Sequence, residues 1–213
     1  MSQPPASQVP ADRSRWTNLI VFAAIVLVVF AVFRFRPFGT PHPEDHAAVG
    51  RPLLVLDVEP LTGDAEPITR DELKGKVVLL SFLATSYEPC REELPRLAAI
   101  AKELEDRPDF KLLAISCYEP GAEDVPAVRR RTEKVLKELK LDLPTYADPA
   151  GATEGSFHAV AKRDSPAVRE LPGYPTTCVL DRNLIIRGVW EGFRPGIETE
   201  MQELVEQLLG EPE

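Results

Sequence analysis

The 213-residue chain sets 25 lysines and arginines against 34 aspartates and glutamates, a formal net charge of -9, and its hydrophobic fraction of 44% is enough for one packed core. That composition excludes a disordered chain, and three cysteines are too few for a disulfide scaffold. Residues 1–36 hold four arginines and one aspartate (+3), so residues 37–213 carry -9 - 3 = -12; with no basic stripe, this acidic part argues against nucleic acid as a partner.

Residues 1–15 are rich in Pro, Ser and Gln and predict a disordered N-terminus. From Leu19 to Phe33 the sequence is uninterruptedly apolar. With Trp16 included, it would form a helix of roughly 27 Å, close to the hydrocarbon thickness of a bilayer. Residues 16–33 therefore read as one transmembrane helix contacting the lipid bilayer. Arg34-Phe35-Arg36-Pro37-Phe38 follows where signal cleavage would need small residues, which favours an uncleaved signal anchor. Orientation is not set by charge, since Arg13 and Arg15 precede the span and Arg34 and Arg36 follow it. Residues 34–52 read as a linker. Its His42 and His46 are four apart, but Pro43 opposes the helix that would put both rings on one metal, so they read as solvated linker residues and no metal site is expected.

Residues 53–210 predict a single α/β domain. Leu53–Val58 and a segment near Pro67–Thr69 suggest an N-terminal hairpin turning at Gly63-Asp64. Val77–Phe82 reads as a buried central strand. A helix follows with Pro89 in its first turn and Leu94, Leu97, Ile100, Ala101 and Leu104 at helical spacing, with a kink expected at Pro95. Phe110–Ser116 is a second strand, parallel to the first because a helix intervenes. Asp124 is a plausible N-cap for a helix with the stripe Val125, Val128, Val135, Leu136 and Leu139. Arg129-Arg130-Arg131 on that helix reads as a solvated face. Val179–Leu180 and Ile185–Trp190 predict a hairpin, and a last helix would bury Ile197, Met201, Leu204, Val205 and Leu208. Trp190 and Phe193 are expected to pack between them.

The chemistry concentrates in Ser86-Tyr87-Glu88-Pro89-Cys90-Arg91-Glu92-Glu93-Leu94-Pro95, at the turn from the central strand into the helix. A Cys-x-x-Cys dithiol works there because the helix N-terminus stabilises an attacking thiolate and the second thiol resolves the mixed disulfide. Here Tyr87 holds the attacking position. A phenol with an ordinary pKa of about 10 is protonated at neutral pH and forms no disulfide.

The run Gly75–Thr85 followed by Ser86–Pro95 resembles the thioredoxin-like, membrane-anchored thiol-disulfide oxidoreductases of the TlpA-like, cytochrome c maturation type, with a degenerate Cys-x-x-Cys motif. Gly173-Tyr174-Pro175-Thr176-Thr177 resembles the family's Gly-x-Pro-Thr-Thr, whose proline is cis and lies beside the dithiol. The resemblance implies a thioredoxin fold, with a central mixed sheet flanked by helices, an extracytoplasmic (periplasmic) domain and protein clients or redox partner proteins. No cofactor is expected. It implies Tyr87, Glu88, Pro89, Tyr174, Pro175 and Thr176 as the surface that meets a client, since the family pairs an extended substrate segment beside the proline. The peroxiredoxin-like alternative needs its reactive cysteine at the same position 87. Two family tryptophans are replaced by Leu83 and Ser86, and Ser81 stands where thioredoxin has a buried acid.

Three readings of Cys90 stay open: a lone thiol that forms mixed disulfides, a partner for Cys117 or Cys178, and an inert buried remnant. Cys117 ends the second strand and should reach the same carboxyl edge of the sheet, while Cys178 reads as a core residue. Glu88 reads as a solvated first-turn carboxylate. The spacing from Asp148 to Pro175 exceeds the family's usual distance, so residues 150–172 read as an inserted loop near the site, and its His158 is given no catalytic role. The functional expectation is redox handling through Cys90, with an inactive client-binding module as the alternative.

Overall fold

The structure is a computed structural model that describes residues 42–162 and 173–212. The expected disordered N-terminus, the transmembrane segment 16–33 and the first part of the linker lie outside the described residues. Among the described residues no helix is long and apolar enough to cross a membrane.

In chain order the elements are β1 (Glu59–Thr62), β2 (Val77–Leu83), α1 (Glu88–Glu103), β3 (Phe110–Ser116), α2 (Val125–Leu139), β4 (Thr145–Ala147), α3 (Ala152–Lys162), β5 (Thr176–Leu180), β6 (Ile186–Glu191) and α4 (Ile197–Gly210). The six strands form one mixed sheet in the order β1-β4-β3-β2-β5-β6. β2, β3 and β4 run parallel, as intervening helices require, while β1 and β5 are antiparallel to their neighbours. Every residue of β2 is buried, which explains its unbroken apolar run.

Alternation along β2 sorts the core into two faces. Val77, Leu79 and Leu83 face α1, with α4 beside Val77 and Leu79, whereas Val78, Leu80 and Phe82 share a cluster with Phe157 and Val160 of α3. α4 packs closely on β6, where a Cβ on Gly188 would meet Leu204 Cδ2 at 2.7 Å. α2 starts as its sequence predicts: the Asp124 carboxylate accepts the Ala127 N–H at 2.7 Å. α1 runs continuously through Pro95.

Several expectations are corrected. Among the described residues the expected N-terminal hairpin does not form: β1 pairs with β4, 83 positions away at the Thr62–Thr145 hydroxyl contact of 2.6 Å, and residues 67–69 form no strand. Leu53–Val58 instead crosses toward α3, its Val55 and Asp57 amides donating to Ser156 and Thr153. The inserted segment is not simply a loop, because α3 occupies residues 152–162 and buries Phe157 completely. His46 is not a solvated residue; its ring stacks at 6.2 Å on Phe157 and its Nε2 lies 3.5 Å from Glu191. Nor are the three arginines one solvated face. Arg129 donates to the carbonyls of Pro60 and Leu61, and Arg131 to Glu119, Pro120 and Gly121, leaving Arg130 exposed.

Candidate functional site

Tyr87 closes the turn after β2 in an extended conformation and forms the N-cap of α1, with 48% of its surface exposed. Glu88 and Pro89 open the helix, and the Glu88 carboxylate is solvated, 3.6 Å from Arg91 Nε. Cys90 sits one turn in, with its N–H donating to Tyr87 O at 3.1 Å, and is completely buried among Leu83, Leu94 and Ala114. Burial pushes its thiol up to about 12, outweighing a backbone hydrogen bond at Ala84 that favours the anion, with smaller upward pushes from the Glu93 and Glu119 carboxylates. At neutral pH Cys90 is therefore held as the thiol.

Behind Cys90 lies an acid that the sequence reading missed. Glu93 is 1% exposed, and burial pushes its carboxyl up to about 7, against hydrogen bonds from Thr177 and Ser81 that favour the anion. Its Oε1 is 3.0 Å from Thr177 Oγ1, its Oε2 is 3.3 Å from Ser81 Oγ, and the two hydroxyls are 2.7 Å apart. Ser81 therefore meets a buried acid supplied by α1. Spacing held the signal, because Glu93 stands four and seven residues before Leu97 and Ile100 on the helix's buried face.

A second carboxylate organises the turn before Tyr87. Glu119 Oε2 accepts the Ser86 N–H at 3.0 Å and the Ser86 hydroxyl at 2.6 Å, while Arg131 Nη1 donates to Oε1 at 2.9 Å. Nothing in the sequence around Glu119 marks it, since the contact joins positions 33 apart across a loop.

The Tyr174–Pro175 peptide is cis and leads into β5, where Thr176 is buried with its hydroxyl donating to Gly173 O at 3.1 Å. Tyr174 meets Tyr87 edge-on with ring centroids 6.3 Å apart, so the structure brings together the two aromatic residues expected at a client surface. Tyr174 Oη donates to Glu154 Oε1 at 2.7 Å, and His158 Nε2 approaches the same oxygen at 3.6 Å. Burial would raise the Glu154 carboxyl, but His158 and Tyr174 outweigh it and the net shift is downward. Burial, then Glu154, raises the Cys117 thiol well above its ordinary value.

The three cysteines are all buried free thiols in this structure. Cys117 packs in the cluster on the α3 side of the sheet and Cys90 in the cluster between α1 and α2, so neither Cys117 nor Cys178 is joined to Cys90. Cys178 is a core residue of β5, opposite Leu80 and Val189. Among the described residues, no three His, Cys, Asp or Glu side chains converge to hold a metal ion.

The AhpC/TSA family matches residues 50–189. The thioredoxin-like protein YneN of Bacillus subtilis is 28% identical over 141 residues, spanning 66% of this chain and 71% of its own. The thiol:disulfide interchange protein DsbE of Pseudomonas aeruginosa is 30% identical over 79 residues, 37% of this chain and 44% of its own. Among solved structures, a thiol-disulfide isomerase from Corynebacterium glutamicum superposes with a TM-score of 0.56 and 20% identity, covering 76% of this chain and 97% of that one.

Proposed function

Because this chain belongs to the AhpC/TSA family of thioredoxin-like thiol-disulfide redox proteins and has their fold, we propose that it is a member that binds clients without turning over their disulfides. The observation that carries this reading is the pair at positions 87 and 90: a tyrosine stands where the attacking thiolate would be, and the remaining thiol is fully enclosed with its pKa raised to about 12. The client surface is the Tyr87–Tyr174 edge and the backbone around Pro175 and Thr176, on which an extended protein segment adds as a strand. Residues 16–33 anchor the domain to a lipid bilayer on the extracytoplasmic (periplasmic) side, a reading supported by the apolar run and the absence of a cleavage pattern after it.

The experiment uses the full chain in detergent micelles with two probes. Insulin disulfide reduction is expected to proceed at the rate of the added reductant alone. Fluorescently labelled, reduced and carboxymethylated lactalbumin, an unfolded chain without free thiols, is expected to bind saturably and equally well to wild type and Cys90→Ser. Tyr87→Ala should weaken that binding by about five-fold or more. Insulin turnover above background that disappears in Cys90→Ser would instead establish the second reading, redox handling through Cys90, which the survival of that thiol keeps in view. Protease protection in intact cells and spheroplasts tests the side of the membrane.

A further inference from the structure

Tyr174 lies between the two buried thiols at the carboxyl edge of the sheet. Its ring packs against both the cluster that contains Cys90 and the cluster that contains Cys117, and it closes edge-on against Tyr87. The oxygen that holds it belongs to a well-anchored element. Asp148 accepts the Ala152 and Glu154 N–H groups at 2.9 Å each, fixing the first turn of α3. Phe157, fully buried, packs at 5.6 Å from Phe82 on the sheet, and Thr153 Oγ1 accepts the Asp57 N–H at 2.8 Å. Glu154 is therefore a carboxylate on a rigid mount, aimed at the Tyr174 phenol.

We infer that Glu154 is a positioning residue: its carboxylate latches Tyr174 across the carboxyl edge of the sheet, and the latched ring, closed against Tyr87, keeps Cys90 and Cys117 out of solvent. Where a dithiol helix shields its second thiol with its first, this chain shields it with an aromatic pair held by a carboxylate from a neighbouring helix. The inference concerns the resting protein and does not depend on client binding. Losing a hydrogen bond to a charged acceptor favours an open arrangement by on the order of ten-fold or more.

The test is native-state alkylation of the full chain in detergent micelles with N-ethylmaleimide, each cysteine followed by peptide mass spectrometry. Cys178, buried in β5, serves as the internal reference. Glu154→Ala and Tyr174→Phe should each speed alkylation of Cys90 and Cys117 by about ten-fold or more while Cys178 stays protected. Glu154→Gln keeps an accepting oxygen and should remain within about two-fold of wild type, because rescue by the amide separates the latch from the simple removal of a negative charge. Equal acceleration in Glu154→Gln and Glu154→Ala would overturn the inference in favour of a charge effect. Unchanged rates in Tyr174→Phe, or equal acceleration of all three cysteines, would overturn it as well.

Discussion

Glu93 makes the stability of this protein pH-dependent in a direction opposite to that of most carboxylates. Three close contacts join Glu93, Ser81 and Thr177, and each needs one proton. The two hydroxyls supply only two, so the ring is complete when the carboxyl carries the third. Burial pushes its folded pKa from 4.5 to about 7 even against the two hydroxyl contacts. For an acid whose folded pKa is raised, the contribution is fully present below the unfolded pKa and is lost as pH rises through the folded one. At 1.36 kcal/mol per unit the whole effect is about 3 kcal/mol, of which about 2 kcal/mol is lost between pH 5.5 and pH 8. Glu93→Gln replaces the protonated acid by a neutral shape of the same size. Urea unfolding of the full chain in detergent micelles, followed by near-ultraviolet circular dichroism, should show the variant gaining about 2 kcal/mol on wild type between those two pH values. Parallel curves for the two proteins would refute the protonated ring, whatever their absolute stabilities.

Tyr87→Cys places a thiol at the N-cap of α1, three residues before Cys90, and should create insulin disulfide reductase activity; adding Glu119→Gln should raise that rate by removing the carboxylate beside Ser86, and a folded double variant with no activity would refute this account of the site. Phe157→Ala should cost about 3–5 kcal/mol in chemical unfolding, since the ring is fully buried between the sheet and His46; a cost below about 1 kcal/mol would mean that α3 is dispensable to the core. Asp124→Ala removes the cap of α2 and should cost about 1 kcal/mol in the same measurement, with no change in the alkylation pattern of the cysteines.

The elements that were legible in the sequence are those whose burial is written locally. The apolar run of β2, the stripes of α1, α2 and α4 and the Asp124 cap needed only periodicity and hydrogen-bond chemistry. β1 was not legible because Pro60 and the turn at Gly63 break its pattern, and its partner β4 lies far along the chain. The apolar Leu53–Val58 was a misleading strand signal: it leaves Leu54 and Val55 exposed and spends its amides on α3 side chains. α3 itself was obscured by Gly151, Gly155 and Ser156, and only tertiary packing of Phe157 explains it. At the site, Tyr87 stood out as a departure from a motif, and Cys90 and Tyr174 as positions that keep one. Glu119 and Glu154 act through contacts that no local pattern encodes.

The electrostatics of the site explain why the missing thiol has not simply left a vacancy. A helix N-terminus with the turn before it offers partial positive charge and backbone donors, which a dithiol site directs to an attacking thiolate. Here the Ser86 N–H is taken by Glu119, which also accepts from the Ser86 hydroxyl and whose charge is balanced by Arg131. The same carboxylate, with Glu93, helps burial to raise the pKa of Cys90, so the potential at that sulfur disfavours an anion. The turn that would present a nucleophile is held by an internal ion pair, and the surface beside it is aromatic. Such a site is suited to holding a chain segment against it; a sulfur at position 87 would make thiol exchange possible, and restoring the local charge balance would make it faster.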